Sequence, residues 1–318
     1  MEKSFLYKYQ PQLFKDFETK KELIKILKLL ININELNILL IGNTGSGKTS
    51  LIKAIIREYY ETSNIPTENI LYINNLTEQG IQYYRSEVKT FCQIPSSIKN
   101  KKKILVLDDI DIINEQSQQV FRNCIDKYSH NVNFIASCTN PQKVIDNLQS
   151  RCTVFKIKTT TKKTLEKIYK KIINNEKLNI EPEAADFILI MCNNSIRLLI
   201  NYIEKFKILN EKITLHIAKN ICTNISYYEF ENFTKYILGE ENLDKAIDLL
   251  YKIFNKGYSV GDILDSYFTF IKTTNTITET SKYIIIKLIC KYIIIFHTVH
   301  EDDIELALFA NELKKNLI

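Results

Sequence analysis

Glycine and proline are scarce in this chain, seven and five residues out of 318. That scarcity excludes collagen-like repeats and glycine- or proline-rich low-complexity segments, and no internal repeat is present. Ordered cysteine patterns are lacking too. The seven cysteines (Cys92, Cys124, Cys138, Cys152, Cys192, Cys222 and Cys290) are scattered, odd in number and free of any C-x-x-C pair. A disulfide framework or zinc cluster is therefore not expected, and a reducing compartment is. Met1-Glu2-Lys3-Ser4 begins no apolar signal segment. The greasiest stretch, Tyr283 to Phe296, is broken by Lys287 and Lys291 and is too short to span a bilayer. It reads as a buried helix, and no membrane partner is expected.

Strong charge of one sign is missing as well. A net charge of +6 permits contact with nucleic acid without demanding it. Ile, Asn and Lys are abundant, as in products of AT-rich genomes, so single Lys or Asn residues carry little weight. His297-Thr298-Val299-His300-Glu301 lacks the H-E-x-x-H order and a third ligand; it reads as a helix end with two surface histidines. The length suits about two or three domains.

Against these absences stands Gly42-Asn43-Thr44-Gly45-Ser46-Gly47-Lys48-Thr49. It fits G-x-x-x-x-G-K-[ST] at every fixed position. The apolar run Ile38–Ile41 before it reads as a buried parallel strand. Ser50 to Ile56 after it carries apolar residues at helical spacing. Glycines let a backbone turn tightly and bring N–H groups to phosphate oxygens, and the following helix directs its positive end at them. Lys48 is expected at the β- and γ-phosphates of ATP, with the Thr49 hydroxyl on Mg²⁺.

Strand-like runs alternate with helical segments up to about residue 157: Ile38–Ile41, Ile70–Ile73, Ile104–Leu107, Phe134–Ser137 and Val154–Ile157. This predicts an α/β domain with a parallel sheet covered on both faces, over 1–157. Beyond Lys158 strand signals vanish. Thr164 to Asn174, Pro182 to Cys192 and Ile196 to Phe206 read as helices of a small domain over 158–224. A further helical block follows over 225–318. The strand Ile104–Leu107 ends in Asp108-Asp109. In phosphate-loop ATPases such a strand is expected beside the loop's own strand, with Asp108 ordering Mg²⁺ and the second acid polarising the attacking water.

Further segments resemble one family. Phe5-Leu6-Tyr7-Lys8-Tyr9-Gln10-Pro11 resembles the K-Y-R-P box of clamp-loader small subunits, the replication factor C family of AAA+ ATPases. Thr77 to Arg85 resembles its R-G-I-D-x-V-R segment. Asn140 matches its sensor-1 residue, Ser150-Arg151-Cys152 its S-R-C motif, and Ser195 to Asn201 its sensor-2 helix. Gly257-Tyr258-Ser259 with Asp262-Ile263-Leu264 resembles part of its C-terminal collar.

The resemblance implies an AAA+ sheet domain, a helical lid and an all-α collar. It implies a heteropentameric spiral that loads a PCNA-like sliding clamp onto primer–template DNA. Tyr9 and Pro11 would wall the adenine, and the loop with Ser50 would hold the phosphates. Asn140 would position the lytic water or γ-phosphate, and Arg197 would reach the γ-phosphate from the lid. Arg151 would enter the neighbouring subunit's site as an arginine finger. Arg85 and Lys89, four apart on one expected helix, are candidates for DNA backbone contacts. Lys101-Lys102-Lys103 reads as a solvated loop. Ile112 and Ile113 are either clamp anchors or core. The apolar helices after Ser226, with Ile284, Ile285, Leu288, Tyr292 and Ile295, suit packing within the collar and against neighbouring subunits, so the isolated chain is expected to self-associate.

Four departures mark divergence: Gln10, Gln79, Asp109 and Asn194-Ser195 stand where the family has Arg, Arg, Glu and Gly-Asp. Asp109 is one methylene shorter than Glu. A misplacement of about 1 Å can cost on the order of 100-fold in rate, so ATP binding is expected to survive while own-site hydrolysis slows. Two further readings remain: a structural ATP-holding subunit that donates Arg151 without turnover, and an origin-binding or helicase-loading ATPase. The expected location is intracellular, nuclear in a eukaryote or a viral replication compartment for a large DNA virus.

Overall fold

The computed structural model describes residues 4–18, 21–62, 67–73, 81–223, 225–239, 243–274, 276–296 and 301–317. Thr77 to Gly80 and His297 to His300 lie outside the described residues. Five strands form one parallel sheet: β1 (Ile38–Ile41), β2 (Ile70–Ile73), β3 (Lys103–Leu107), β4 (Val132–Cys138) and β5 (Thr153–Lys156). Their order across the sheet is β2-β3-β4-β1-β5.

This order corrects one expectation. The strand ending in Asp108-Asp109 is not beside the loop's strand; β4 lies between them, with Ile135 paired to Ile38 on one side and to Val106 on the other. All seven residues of β4 are buried. A strand without access to water needs hydrogen-bonded neighbours along both edges, which puts it at the centre.

Within each apolar run the side chains alternate between two cores. Ile38, Leu40, Ile104, Val106 and Ile135 face the core built with α2 (Lys21–Asn32) and α3 (Lys48–Tyr60), after a short N-terminal turn of helix, α1 (Phe5–Lys8). Leu39, Leu105, Leu107, Phe134 and Ala136 face the opposite core. That side is closed by α4 (Ile81–Tyr83), α5 (Lys89–Gln93) and α6 (Glu115–Tyr128). Residues Tyr84–Val88, between α4 and α5, are π-helical. Tyr84, Val88 and Cys92 turn inward, whereas Arg85 and Lys89 are exposed. The lysine run is not wholly a loop: Lys103 opens β3 and is buried, its ammonium over the Phe91 ring at 4.5 Å. An apolar stem with a cation–π partner lets a lysine sit in a strand.

The chain continues through α7 (Asp146–Gln149), α8 (Lys162–Glu176), α9 (Pro182–Met191), α10 (Ile196–Leu209) and α11 (Leu215–Ile221). It ends with α12 (Tyr227–Leu238), α13 (Leu243–Phe254), α14 (Val260–Thr273), α15 (Glu279–Phe296) and α16 (Ile304–Leu317). Two compact units result: Met1–Leu178 with Cys192–Ile208, and Asn179–Met191 with Leu209–Ile318. Segment 158–224 is thus shared, α8 and most of α10 standing with the sheet and α9 and α11 with the later helices. The helix α11 gave no expectation from sequence; its seven residues are too few to set up a clear period.

The second unit is organised on aromatic rings. Phe230, Phe233, Phe270 and Phe309 surround Tyr267, whose hydroxyl lies 3.2 Å from Thr234 Oγ1. In α15 the expected burial holds for one face only. Ile285, Leu288, Ile289 and Tyr292 are buried, while Tyr283 and Ile294 are 72% and 64% exposed. Among the described residues no helix is long and apolar enough to cross a membrane.

Phe134 has 1% of its surface exposed on the central strand and Ile190 has 52%. Phe134→Ala should destabilise the sheet-containing unit by about 3–5 kcal/mol, and Ile190→Ala should stay within about 0.5 kcal/mol. Urea unfolding of the two variants against the parent checks the contrast.

Candidate functional site

The loop Gly42–Thr49 leaves the C-terminal end of β1, where Gly42 N donates to Cys138 O of β4 at 3.2 Å. Gly45 and Gly47 hold φ of +76° and +90°. Both values lie in the left-handed region that glycine enters at no steric cost. α3 then starts at Lys48, with Leu51 N donating to Gly47 O at 2.9 Å. Asn43 and Thr44 are exposed at the rim of the loop. Lys48 is buried to 7% exposure and its ammonium folds back over the loop, donating to Gly42 O (2.7 Å) and Asn43 O (3.2 Å). Ser46 Oγ is buried without a hydrogen-bond partner. A turn of backbone N–H groups at a helix N-terminus, a lysine and an unsatisfied hydroxyl together suit a polyphosphate.

The acids reach this loop by way of β4. Thr49 Oγ1 donates to Asp108 Oδ2 at 2.9 Å, and Ser137 Oγ donates to Asp108 Oδ1 at 2.5 Å. The same Ser137 oxygen accepts from Asp109 N at 3.0 Å. The Thr49 hydroxyl and the Asp108 carboxylate are oxygen ligands of the kind a hard divalent cation takes. Asp109 itself has φ of +52°, an unusual conformation that costs a non-glycine residue roughly 1–2 kcal/mol. Its carboxyl is raised above the ordinary range, chiefly by burial and next by the Asp108 charge, with Lys48 and Arg197 pulling the other way.

Sequence reasoning passed over Asp111, Ser137 and Gln118. Asp111 Oδ2 accepts from Thr139 N (3.1 Å) and Asn140 N (2.9 Å), pinning the segment after β4 to the acid turn. Asn140 Oδ1 is committed to Gln142 N at 2.9 Å. Only the amide nitrogen of that side chain therefore remains to donate elsewhere. Gln118 of α6 is fully buried. It donates to the carbonyls of Ile110 (3.3 Å), Ile113 (2.9 Å) and Lys143 (2.9 Å) and accepts from Ile145 N (2.9 Å). A buried polar side chain is rare unless it is saturated in this way. The available signal was slight: Gln118 falls at helical spacing with Phe121 and Ile125 on the face of α6 that is buried. The clamp-anchor alternatives separate here, with Ile112 71% exposed and Ile113 in the core at 8%.

The N-terminus of α10 closes over the loop. A Cβ placed on Gly45 would stand 3.0 Å from Ser195 Oγ and 3.9 Å from Arg197 Cβ. Asn194 has φ of +60° and Ser195 Oγ accepts from Leu198 N at 3.4 Å. Asn tolerates the left-handed turn and Ser caps the helix. Asn194-Ser195 thus supplies both a positive-φ turn and a helix cap at this point. The N-terminal segment approaches from another side. Gln10 Nε2 donates to Ser50 Oγ at 3.3 Å, and Pro11 follows it. Tyr9 donates its hydroxyl to Glu176 Oε1 at 2.5 Å, and Lys8 Nζ lies 2.6 Å from the same oxygen. Burial and then the Glu176 acceptor push the Tyr9 phenol up to about 12. Burial works against ionised Glu176, but hydrogen bonds from Lys8 and Tyr9 and the Lys207 charge outweigh it, so its pKa is lowered.

Arg151 follows α7 and pairs with Asp126 at 2.5 Å. The exposed Arg85 and Lys89 stand on the π-helical turn and α5, with Tyr84 and Val88 inward beside them. Among the described residues no group of His, Cys, Asp and Glu is arranged to hold a metal by itself.

Residues 38–160 match the family described as ATPase family associated with various cellular activities (AAA), and residues 228–293 match the replication factor C C-terminal domain. The chain is 28% identical over 269 residues to a replication factor C small subunit of Methanococcus maripaludis, covering 84% of this chain and 85% of that one. It is 27% identical over 262 residues to replication factor C subunit 3 of Schizosaccharomyces pombe, covering 82% and 76%. In fold it resembles the RuvB Holliday junction branch migration motor of Thermotoga maritima, with a TM-score of 0.52, 16% identity and coverage of 76% and 85%.

A carboxyl whose pKa is raised by folding favours the folded state while protonated, and that contribution is lost as pH climbs through its folded value. Asp109→Asn should therefore melt at a higher temperature than the parent at neutral pH without nucleotide. The gain should shrink as pH falls and disappear near the unperturbed value of 3.8. Thermal melts across a pH series measure this.

Proposed function

From a chain that carries an AAA ATPase domain followed by a replication factor C C-terminal domain, we propose a small subunit of a clamp loader acting in DNA replication. It binds Mg·ATP, joins other subunits in a heteropentamer and loads a PCNA-like sliding clamp onto primer–template DNA. The observation that carries this reading is the run Thr49–Asp108–Ser137–Asp109. It joins a phosphate loop to two acids in a chain whose C-terminal domain matches replication factor C.

Mg²⁺ held by the Thr49 hydroxyl and Asp108 would neutralise charge on the β- and γ-phosphates. The backbone of Gly42 to Thr49 binds the phosphates, and Lys48 leaves its two loop carbonyls for phosphate oxygens. Ser50, Gln10, Tyr9 and Pro11 flank the nucleoside end. Asp109 takes the proton of the attacking water. As the oxygen bonds to the γ-phosphorus, the bond to the β–γ bridging oxygen breaks and its electron pair leaves with ADP. Asn140 orients the water through its amide nitrogen, Arg197 reads the γ-phosphate from α10, and Arg151 stabilises the charge developing in the neighbouring site.

DNA lies along Arg85 and Lys89, whose exposed cations contact phosphates without reading sequence. Exposed Ile112 anchors on the clamp while Ile113 holds its turn in place. The protein works inside the cell, in the nucleus of a eukaryote or in a viral replication compartment. One observation favours the structural-subunit variant of this reading: Asp109 is shorter than the family's Glu and sits in a strained turn. The match over residues 228–293 speaks against an origin-binding initiator.

The test reconstitutes the chain with its partner subunits and ring clamp. Co-purification with the clamp should require ATP. Single-turnover hydrolysis should fall in both Asp109→Ala and Arg151→Ala. Loss in Arg151→Ala alone selects the structural subunit, and failure to bind Mg·ATP or to join an assembly overturns the proposal.

A further inference from the structure

Arg151 is placed with more care than a surface arginine needs. Its backbone is fixed on both sides, Arg151 N donating to Leu148 O and Cys152 N to Gln149 O, each at 3.2 Å. Its guanidinium is then held by two of its three nitrogens. Nε donates to Asp126 Oδ1 at 2.5 Å, and Nη1 donates to the Asn147 carbonyl at 2.6 Å and lies 3.4 Å from Ser150 Oγ. Among the described residues Nη2 has no partner, and the side chain keeps 27% of its surface exposed. Asp126 is restrained in turn by Arg122, one helical turn earlier on α6, whose Nε lies 3.2 Å from Oδ2. Both carboxylate oxygens are therefore in use.

Such a cluster contributes little to stability, because exposed ion pairs gain modest Coulomb energy and lose side-chain entropy. Its effect is geometric. A free arginine explores many rotamers, and fixing it costs side-chain entropy. Here much of that ordering is already done before any phosphate arrives. Two of the three nitrogens are engaged within the chain, and the third is left to donate. Two guanidinium groups share one carboxylate, so the cluster keeps a net positive charge that a polyphosphate can meet.

We propose that Asp126 is a positioning residue for Arg151: it orients the guanidinium so that Nη2 projects toward the phosphoryl group bound by the next subunit. This deepens the proposed function and rests on the reading that Arg151 acts across a subunit boundary. Asp126 touches no substrate; it acts by narrowing the set of rotamers open to Arg151.

The experiment uses the reconstituted complex and single-turnover ATP hydrolysis, with Asp126→Asn, Asp126→Glu, Arg151→Ala and the double variant Asp126→Asn with Arg151→Ala. Asp126→Asn should lower the maximal rate by roughly ten- to a hundredfold with the ATP concentration for half-saturation unchanged. Asp126→Glu, which keeps the charge, should retain most of the rate. The double variant should be no slower than Arg151→Ala. Unchanged melting of the free subunit excludes misfolding. A parent-like rate in Asp126→Asn beside a slow Arg151→Ala overturns the positioning role alone, and a rate above the parent shows that Asp126 stows the guanidinium instead. A parent-like Arg151→Ala removes the cross-boundary reading and this proposal with it.

Discussion

One hydroxyl on the central strand holds the C-terminal end of the sheet together. Ser137 Oγ donates to the Asp108 carboxylate and accepts from the Asp109 amide, while Asp108 is met from the other side by Thr49. Because β4 separates β1 from β3, the phosphate loop and the acids have no shared strand edge. A short polar side chain at the C-terminal end of the intervening strand supplies the link. Fully buried at the end of its strand, that hydroxyl has little alternative to its two partners, since an unsatisfied polar group there costs on the order of 1–3 kcal/mol. The position of Asp109 follows from it, and the left-handed turn at that residue is held against its own preference.

The rest of the site is braced by buried and half-buried polar side chains. Gln118 ties the turn after β3 to the segment after β4, and Asp111 ties that turn to the start of the same segment. On the other side, Glu176 gathers Lys8 and Tyr9, and Glu204 accepts from Ser4 Oγ and Phe5 N. The N-terminal residues are thereby fastened to α8 and to α10, whose N-terminus lies against the phosphate loop.

Much of this was legible in the sequence for identifiable reasons. Short, largely apolar runs of four or five residues between helical segments suit strands of a covered parallel sheet, and each of the five expected strands is present with ends shifted by about two residues at most. The loop was legible because glycines, lysine and threonine are needed at fixed spacing. Strand order was not, since a parallel ladder leaves no trace of its neighbour in its own residues. Ser137, Gln118 and Asp111 escaped notice because their importance lies in partners distant in sequence. Lys103 misled because charge suggests a loop, whereas the aromatic ring beneath it becomes visible only after folding. Tyr283 and Ile294 misled in the opposite sense, an apolar run carrying no mark of which face will be covered.

The turn at Asn194-Ser195 has an implication for how this chain diverged. Asparagine adopts the positive φ and serine supplies the helix cap, so these two residues meet the needs of the turn without a glycine. Local conformation here is a degenerate code, with synonymous spellings drawn from the few residues that share a stereochemical talent. A change of residue at such a bend need not loosen the helix that follows, so long as the newcomer shares that talent.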